Sequence, residues 1–142
     1  MLKSIKIIDI SDEFYNKYLN LLNEFRDTKF SKEFLLEFIN SLPNNHDIFL
    51  MFDNENNIIG TITIIIERKL INNGNNVCHI EDLIINNLYK SNGYGSKILE
   101  FVNTYAREKK CYKIILNCND NLKKFYEKNS FEFKNIQMGL YM

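Results

Sequence analysis

Three groups of residues in this chain have the types and spacing for chemistry. The first is Lys90-Ser91-Asn92-Gly93-Tyr94-Gly95-Ser96, just ahead of a helical pattern carried by Ile98, Leu99, Val102, Tyr105 and Ala106. Glycines there let the backbone bend and come close to a ligand. A first helical turn adds free N–H groups and a partial positive charge, a combination that binds phosphate or pyrophosphate. The loop is not a Walker sequence, because G-K-[S/T] is missing, and it lacks the third glycine of a dinucleotide fingerprint. Taken alone, two spaced glycines mark a plain helix start about as often as a phosphate cradle. The second group is Glu81-Asp82, set inside the apolar run V-C-H-I-E-D-L-I-I at 77–85. Neighbours on a strand face opposite sides, so at least one of the two carboxylates faces a site or an interface. His79 on the same run reads as a hydrogen-bonded structural residue. The third group is Phe125-Tyr126 in N-L-K-K-F-Y at 121–126, which by itself fits core aromatics of a short helix.

Composition narrows the chemistry. Eighteen basic residues balance eighteen acidic ones, which disfavours nucleic acid as a partner and leaves room for a local cationic pocket. Cys78, Cys111 and Cys118 form no C-x-x-C pair, and only His46 and His79 are available to join them as metal ligands. An odd set of cysteines suits a reducing compartment better than a disulfide framework. The start, M-L-K-S-I-K-I-I-D-I, is too short and too charged for a signal peptide, and no apolar run approaches a membrane span. The expectation is a cytoplasmic, metal-free, single domain over 1–142.

The elements that must position these groups follow from periodicity. Residues 3–10 alternate and then run β-branched, predicting a strand. Ser11 or Asp12 caps a helix with Phe14, Tyr15, Tyr18, Leu19, Leu22 and Phe25 at helical spacing. Ser31 opens a second helix, with Phe34, Leu35, Phe38, Ile39 and Leu42 on one face, ended by Pro43. Three antiparallel strands are predicted between 47 and 86, the first two joined through the turn cluster D-N-E-N-N at 53–57. A helix after the glycine loop, a strand at 112–118, a short helix at 121–129 and one or two final strands complete the chain. The order is β-α-α-β-β-β-α-β-α-β(β), an α+β chain whose βαβ-type unit binds ligands where a strand's carboxyl end meets a helix's amino end.

The same residues resemble a known family. The GNAT superfamily carries [Q/R]-x-x-G-x-[G/A] in this context, matched at Gly93 and Gly95, with Lys90 in place of Gln or Arg. Its N-x-x-x-F-Y-x-x-x-G-F is similar to 121–131, with Asn121, Phe125, Tyr126 and Phe131 matching and Ser130 in place of glycine. The stretch E-R-K-L-I-N-N-G-N-N-V-C-H-I-E-D-L-I-I at 67–85 resembles glucosamine 6-phosphate N-acetyltransferases, with matches at Glu67, Lys69, Ile71, Val77, His79, Ile80, Glu81 and Asp82. Leu70, Asn72 and Cys78 depart from that pattern. C-Y-K-I-I-L-N-C at 111–118 and I-Q-M-G-L-Y-M at 136–142 are similar to further segments of those enzymes, with Asn117 replacing an acidic residue.

The resemblance implies an α/β/α sandwich with a mixed sheet of about six to seven strands and about four helices. It implies acetyl-coenzyme A as co-substrate, held by Leu83, Ile84, Ile85, Lys90 to Ser96, Asn121, Phe125 and Tyr126. It implies that Lys69, Leu70, Ile71, Asn72, Glu81, Asp82, Tyr112 and Lys113 lie near the sugar phosphate. The reacting groups would be Tyr126 at the leaving sulfur, Glu81 or Asp82 or the carbonyl of Asn117 at the amine, and backbone N–H groups after Asp82 at the oxyanion, freed by a bulge. A homodimer sharing the C-terminal strand region is implied as well. Two other readings fit the same motifs: a transferase for another amine (a polyamine, an aminoglycoside or a protein N-terminus), and a module that holds acyl-coenzyme A without turnover. Lys90, Ser130 and Asn117 speak for the latter.

Overall fold

The computed structural model describes residues 2–142. Five strands make one sheet in the order β1-β2-β3-β4-β5: β1 Leu2–Ser4, β2 His46–Phe52, β3 Ile58–Glu67, β4 Asn76–Ile85 and β5 Cys111–Ile115. The first four pair antiparallel and β5 lies parallel to β4. Four helices cover it: α1 Asp12–Phe25, α2 Lys32–Ser41, α3 Tyr94–Glu108 and α4 Asp120–Lys128. The helix starts follow the caps in the sequence. The Ser11 hydroxyl accepts from Phe14 N at 3.1 Å and the Ser31 hydroxyl from Phe34 N at 3.0 Å, each satisfying an otherwise unpaired donor.

Each face of the sheet has its own core. Ile62, Ile64 and Ile66 of β3 join Cys78 and Ile80 of β4 under Ile98, Leu99 and Val102 of α3. The opposite face packs Ile48, Leu50 and Ile58 against Phe14, Tyr18 and Leu21 of α1 and Leu35 and Ile39 of α2. Ile84 belongs to this second core although Cys78 and Ile80 belong to the first. A strand with period two changes face between Ile80 and Ile84 only by inserting a residue. The register shows it: Thr63 pairs with Glu81 and Thr61 with Ile84, so Asp82 and Leu83 stand opposite Ile62 alone. This is a β-bulge, and Asp82 at its centre takes a left-handed φ of 48°.

Three expectations need correction. The first strand stops at Ser4, whose hydroxyl accepts from Lys6 N and turns Ile5–Ile7 into a single 3-10 turn. On α2, Leu35 and Ile39 reach the core while Phe34 is 53% exposed, because these pairs lie about 100° apart around the helix. The sheet has five strands where about six to seven were expected, since 131–142 pairs with nothing in this chain and forms no strand. Ile136, Met138 and Leu140 in that segment are 82%, 91% and 84% exposed. A strand needs a neighbouring edge for its backbone groups, and this segment takes up none within the chain, leaving the outer edge of β5 free.

Candidate active site

Strands β4 and β5 pair only from Asn76↔Cys111 to His79↔Ile115. Beyond that point β4 continues through Glu81–Ile85 without β5 beside it, which opens a cleft between the bulge and the 116–119 connection. The free backbone edge of β4 is one wall. The start of α3 and the side of α4 supply the others.

At the start of α3 the loop turns through two left-handed residues, Ser91 (φ 63°) and Gly93 (φ 79°). Gly93 is the N-cap and makes no side-chain cap, so the first N–H groups of α3 are unclaimed by any side chain, and no acidic side chain occupies that turn. Gly95 is favoured for a different reason, since it sits in a tight space. A Cβ there would stand 2.9 Å from Phe125 Cζ and 3.9 Å from Ile85 Cγ1. Gly95 is thus the point at which the end of β4, the start of α3 and the aromatic pair of α4 meet. Conformation selects one glycine and space the other.

On α4, Tyr126 is 9% exposed, with its ring edge-to-face against Phe125 at 4.9 Å and Phe131 at 5.7 Å. Burial pushes its phenol up to about 12, with the Cys118 thiol adding to the shift. It is therefore a hydrogen-bond donor through the neutral range and not a base. The helix ends with Phe131 N and Ser130 N donating to the carbonyls of Tyr126 and Glu127, both at 3.0 Å, while Ser130 takes a left-handed φ of 69°. A glycine is the usual residue for that turn. Asn121 and Asn117 are both exposed, on α4 and on the connection before it. Burial raises the thiols of Cys78, to about 12, and of Cys111, so neither is a ready nucleophile.

The other side of the bulge opens on an apolar cavity of about 380 Å³. Glu81 and Asp82 line it together with Tyr18, Phe30, Phe34 and Phe38. The three phenylalanines follow one another, Phe30 tilted against Phe34 at 6.1 Å and Phe34 stacked on Phe38 at 6.3 Å between ring centroids. Tyr18 is 4% exposed; burial first, then the Asp82 charge, push its phenol up to about 12 while a hydrogen bond to Thr61 opposes them. Thr61 in turn donates to Phe49 O at 3.2 Å. Sequence reasoning did not assign this wall. The only signal was the i, i+4 spacing of Phe34 and Phe38, which reads equally well as core.

The remaining predicted substrate residues sit apart from the cavity. His79 Nε2 lies 2.8 Å from Glu67 Oε1, and Lys69 Nζ lies 3.1 Å from Glu67 Oε2. His79 is thus a satisfied structural residue, as expected. These partners, His79 before Lys69, hold the Glu67 carboxyl below its ordinary range. Leu70 and Ile71 are 99% and 64% exposed, and Asn72 is in a solvent-facing turn. Tyr112 and Lys113 are exposed on β5, with Val77 pairing Lys113 across the parallel ladder.

This arrangement has known counterparts. The model of the acetyltransferase (GNAT) family matches residues 12–131. The chain belongs to the GNAT acetyltransferase family. A glucosamine 6-phosphate N-acetyltransferase from Dictyostelium discoideum is 34% identical over 98% of this chain and 90% of its own length. One from Arabidopsis thaliana is 31% identical over 96% and 95%. The solved structure of an Arabidopsis glucosamine-6-phosphate N-acetyltransferase superposes with a TM-score of 0.84 at 30% identity, covering 99% of this chain and 98% of that one. An acetyltransferase from Trypanosoma brucei gives 0.87 at 25% identity, covering 100% and 99%. The GNAT fold stands as expected, with the strand count corrected to five. No helix among the described residues is long and apolar enough to cross a membrane.

Proposed function

We propose that the protein transfers the acetyl group of acetyl-coenzyme A directly to the amine of glucosamine 6-phosphate, releasing N-acetylglucosamine 6-phosphate and coenzyme A. The observation that carries this reading is the bulged β4 with Glu81 and Asp82 at the mouth of the cleft, in a chain that matches glucosamine 6-phosphate N-acetyltransferases over nearly its whole length.

The residues present fit the coenzyme. The uncapped start of α3 suits its pyrophosphate, with Lys90 adding charge, and the unpaired edge Leu83-Ile84-Ile85 suits the amides of its pantetheine arm. Bound coenzyme supplies a thioester, an acyl group already activated for transfer. The N–H groups at and after the bulge, from Leu83 and Ile84, face the charge that develops on the thioester oxygen. Tyr126 donates a hydrogen bond to the departing sulfur. A phenol at about 12 is a weaker acid than a thiol, so its role is stabilisation of the thiolate and not full protonation. Glu81 or Asp82 takes the proton of the amine, and the Asn117 carbonyl orients it by accepting a hydrogen bond. An amine of ordinary α-amino basicity is partly neutral near pH 7–8, so positioning accounts for most of the rate gain. Lys113 makes no salt bridge among the described residues and, with Lys69, offers charge to the sugar phosphate.

The site is completed by a second copy. The exposed 132–142 segment, the free edge of β5, and Leu70 and Ile71 in solvent together suit a homodimer that shares its C-terminal strands. A reducing, cytoplasmic setting suits the three unpaired cysteines.

A thiol-release assay tests the reading, with glucosamine 6-phosphate, glucosamine, spermidine and a short peptide as acceptors. Turnover confined to glucosamine 6-phosphate is expected. Faster turnover with any of the others would overturn the substrate, and coenzyme A binding without turnover on any amine would favour the binding module.

A further inference from the structure

The coenzyme loop leaves β4 through residues 86–89, and each of these is tied down. Asn86 N donates to Ile59 O at 2.8 Å and its side-chain amide to Ile58 O at 3.1 Å, while its oxygen accepts from Leu88 N at 3.0 Å. Tyr89 N donates back to Asn86 O at 2.8 Å. The Tyr89 side chain then leaves the loop altogether. Its hydroxyl donates to Asp53 Oδ2, 2.5 Å away, in the turn between β2 and β3.

Asp53 is itself fixed. Its Oδ1 accepts from Glu55 N at 2.9 Å and Asn57 N at 2.8 Å, and its Oδ2 takes the Asn57 side-chain amide at 3.0 Å. On the other side, the Tyr89 ring meets Tyr94 edge-to-face at 6.0 Å, and Tyr94 is the first residue of α3. Asn92 closes the loop by donating to the Tyr89 carbonyl at 3.2 Å and to that of Lys90 at 2.9 Å. Tyr89 therefore touches the entry, the middle and the exit of the glycine loop, and its hydroxyl reaches a residue 36 positions earlier.

We propose that Asp53 and Tyr89 are positioning residues of the coenzyme site, and that their hydrogen bond locks the pyrophosphate loop to the β2–β3 turn. This rests on the reading of residues 90–96 as the coenzyme loop. The Tyr89 hydroxyl is the first cause of an Asp53 carboxyl held down at about 2, so the pair is a phenol donating to a charged carboxylate throughout the working pH range. Such bonds are shorter and stronger than neutral ones. A loop with left-handed residues at 91 and 93 has freedom to lose on binding, and the lock removes that freedom beforehand. The loop contacts the phosphates and not the acetyl group, so the lock acts on coenzyme affinity and leaves the chemical step alone.

The test compares Tyr89→Phe, Asp53→Asn and their double variant with wild type. It reads the Kd for coenzyme A by calorimetry, the KM values for both substrates, kcat and the melting temperature. Tyr89→Phe is expected to raise the Kd for coenzyme A and the KM for acetyl-coenzyme A about tenfold. The saturating kcat and the amine KM should stay within about twofold. Asp53→Asn leaves one acceptor oxygen where two are used, by the Glu55 and Asn57 amides and by Tyr89, so it should cost about as much as Tyr89→Phe, with the double variant no worse than the larger single effect. A lower melting temperature with coenzyme affinity unchanged would reduce the pair to a structural contact and overturn the proposal. Additive effects in the double variant would overturn it too. Gly95→Val separates the two levels of inference. If it abolishes coenzyme binding while Tyr89→Phe does not weaken it, the lock alone fails. If Gly95→Val binds coenzyme A like wild type, the loop reading fails and the lock with it. Coenzyme A binding is read directly, so neither outcome depends on the identity of the amine.

Discussion

On the proposed reading, the coenzyme half and the acceptor half of the cleft differ in how they are built. The coenzyme half draws on β4, the glycine loop, α3 and α4, and the packing of Gly95 against Phe125 closes it within one chain. Its polar loop groups find partners nearby, and Tyr126 is buried between Phe125 and Phe131. The acceptor half has two predicted carboxylates over an aromatic-walled cavity, while Leu70, Ile71 and the last eleven residues stand in water. Exposed apolar side chains of this number commonly mark an interaction surface. On the proposed reading, coenzyme recognition rests on the fold of one chain, whereas recognition of the acceptor draws on a second copy.

Ending the chain after Lys134 is the sharpest way to break this contrast. Phe131 and its packing on Tyr126 remain, while the apolar tail is lost. The expected result is a monomer by light scattering, acetyl transfer below about one hundredth of wild type, and coenzyme A affinity unchanged within about twofold. Weakened coenzyme binding of similar size would mean the two halves are not separable. Within the coenzyme half, Tyr126→Phe should lower kcat about 30-fold with little change in either KM. Because burial has pushed this phenol to about 12, the pH–rate profile below pH 10 should keep its shape in the variant. A limb that vanished with the hydroxyl would show Tyr126 titrating in that range.

Smaller effects refine the picture. Ser130→Gly relieves a left-handed backbone at the end of α4 and should raise stability by about 1 kcal/mol in thermal unfolding, without touching kcat. On the acceptor side, the Glu67 carboxyl sits below its ordinary value of 4.5 because of the His79 contact and then Lys69. A folded value below the unfolded one means the contribution is present above about pH 4.5 and fades as pH falls through the lower folded value. The carboxylate is 42% exposed, so the effect is small. A melting-temperature profile from pH 7 to pH 3 should fall slightly less for Glu67→Gln than for wild type.

Much of this was legible from residues alone. Ser11 and Ser31 announced the helix starts, since a hydroxyl before an apolar period has few other uses. The glycine loop and the F-Y pair were legible because their constraints are local: a left-handed turn, a free helix end, a ring in a small space. The pair Glu81-Asp82 announced a site, though the alternation rule alone could not place the bulge. Other features were hidden for physical reasons. Phe34 and Phe38 look like core by spacing, and only the placement of α2 over β2 and β3 puts them at a cavity rim. D-N-E-N-N at 53–57 read as a turn and nothing more, because its partner Tyr89 lies 36 residues on.

The sequence by itself determined the element order as far as α4, the caps, the residues of the glycine loop and the family, because each depends on short-range sterics and on hydrogen bonds within a few residues. Tertiary structure decided three other things: the parting of β4 from β5 past His79, the two-against-one register that turns Asp82 out of line, and the isolation of residues 131–142 from the sheet. All three are relations between segments far apart in the chain. Register and edge pairing are settled by which backbone groups find partners, and periodicity within one segment carries no record of that.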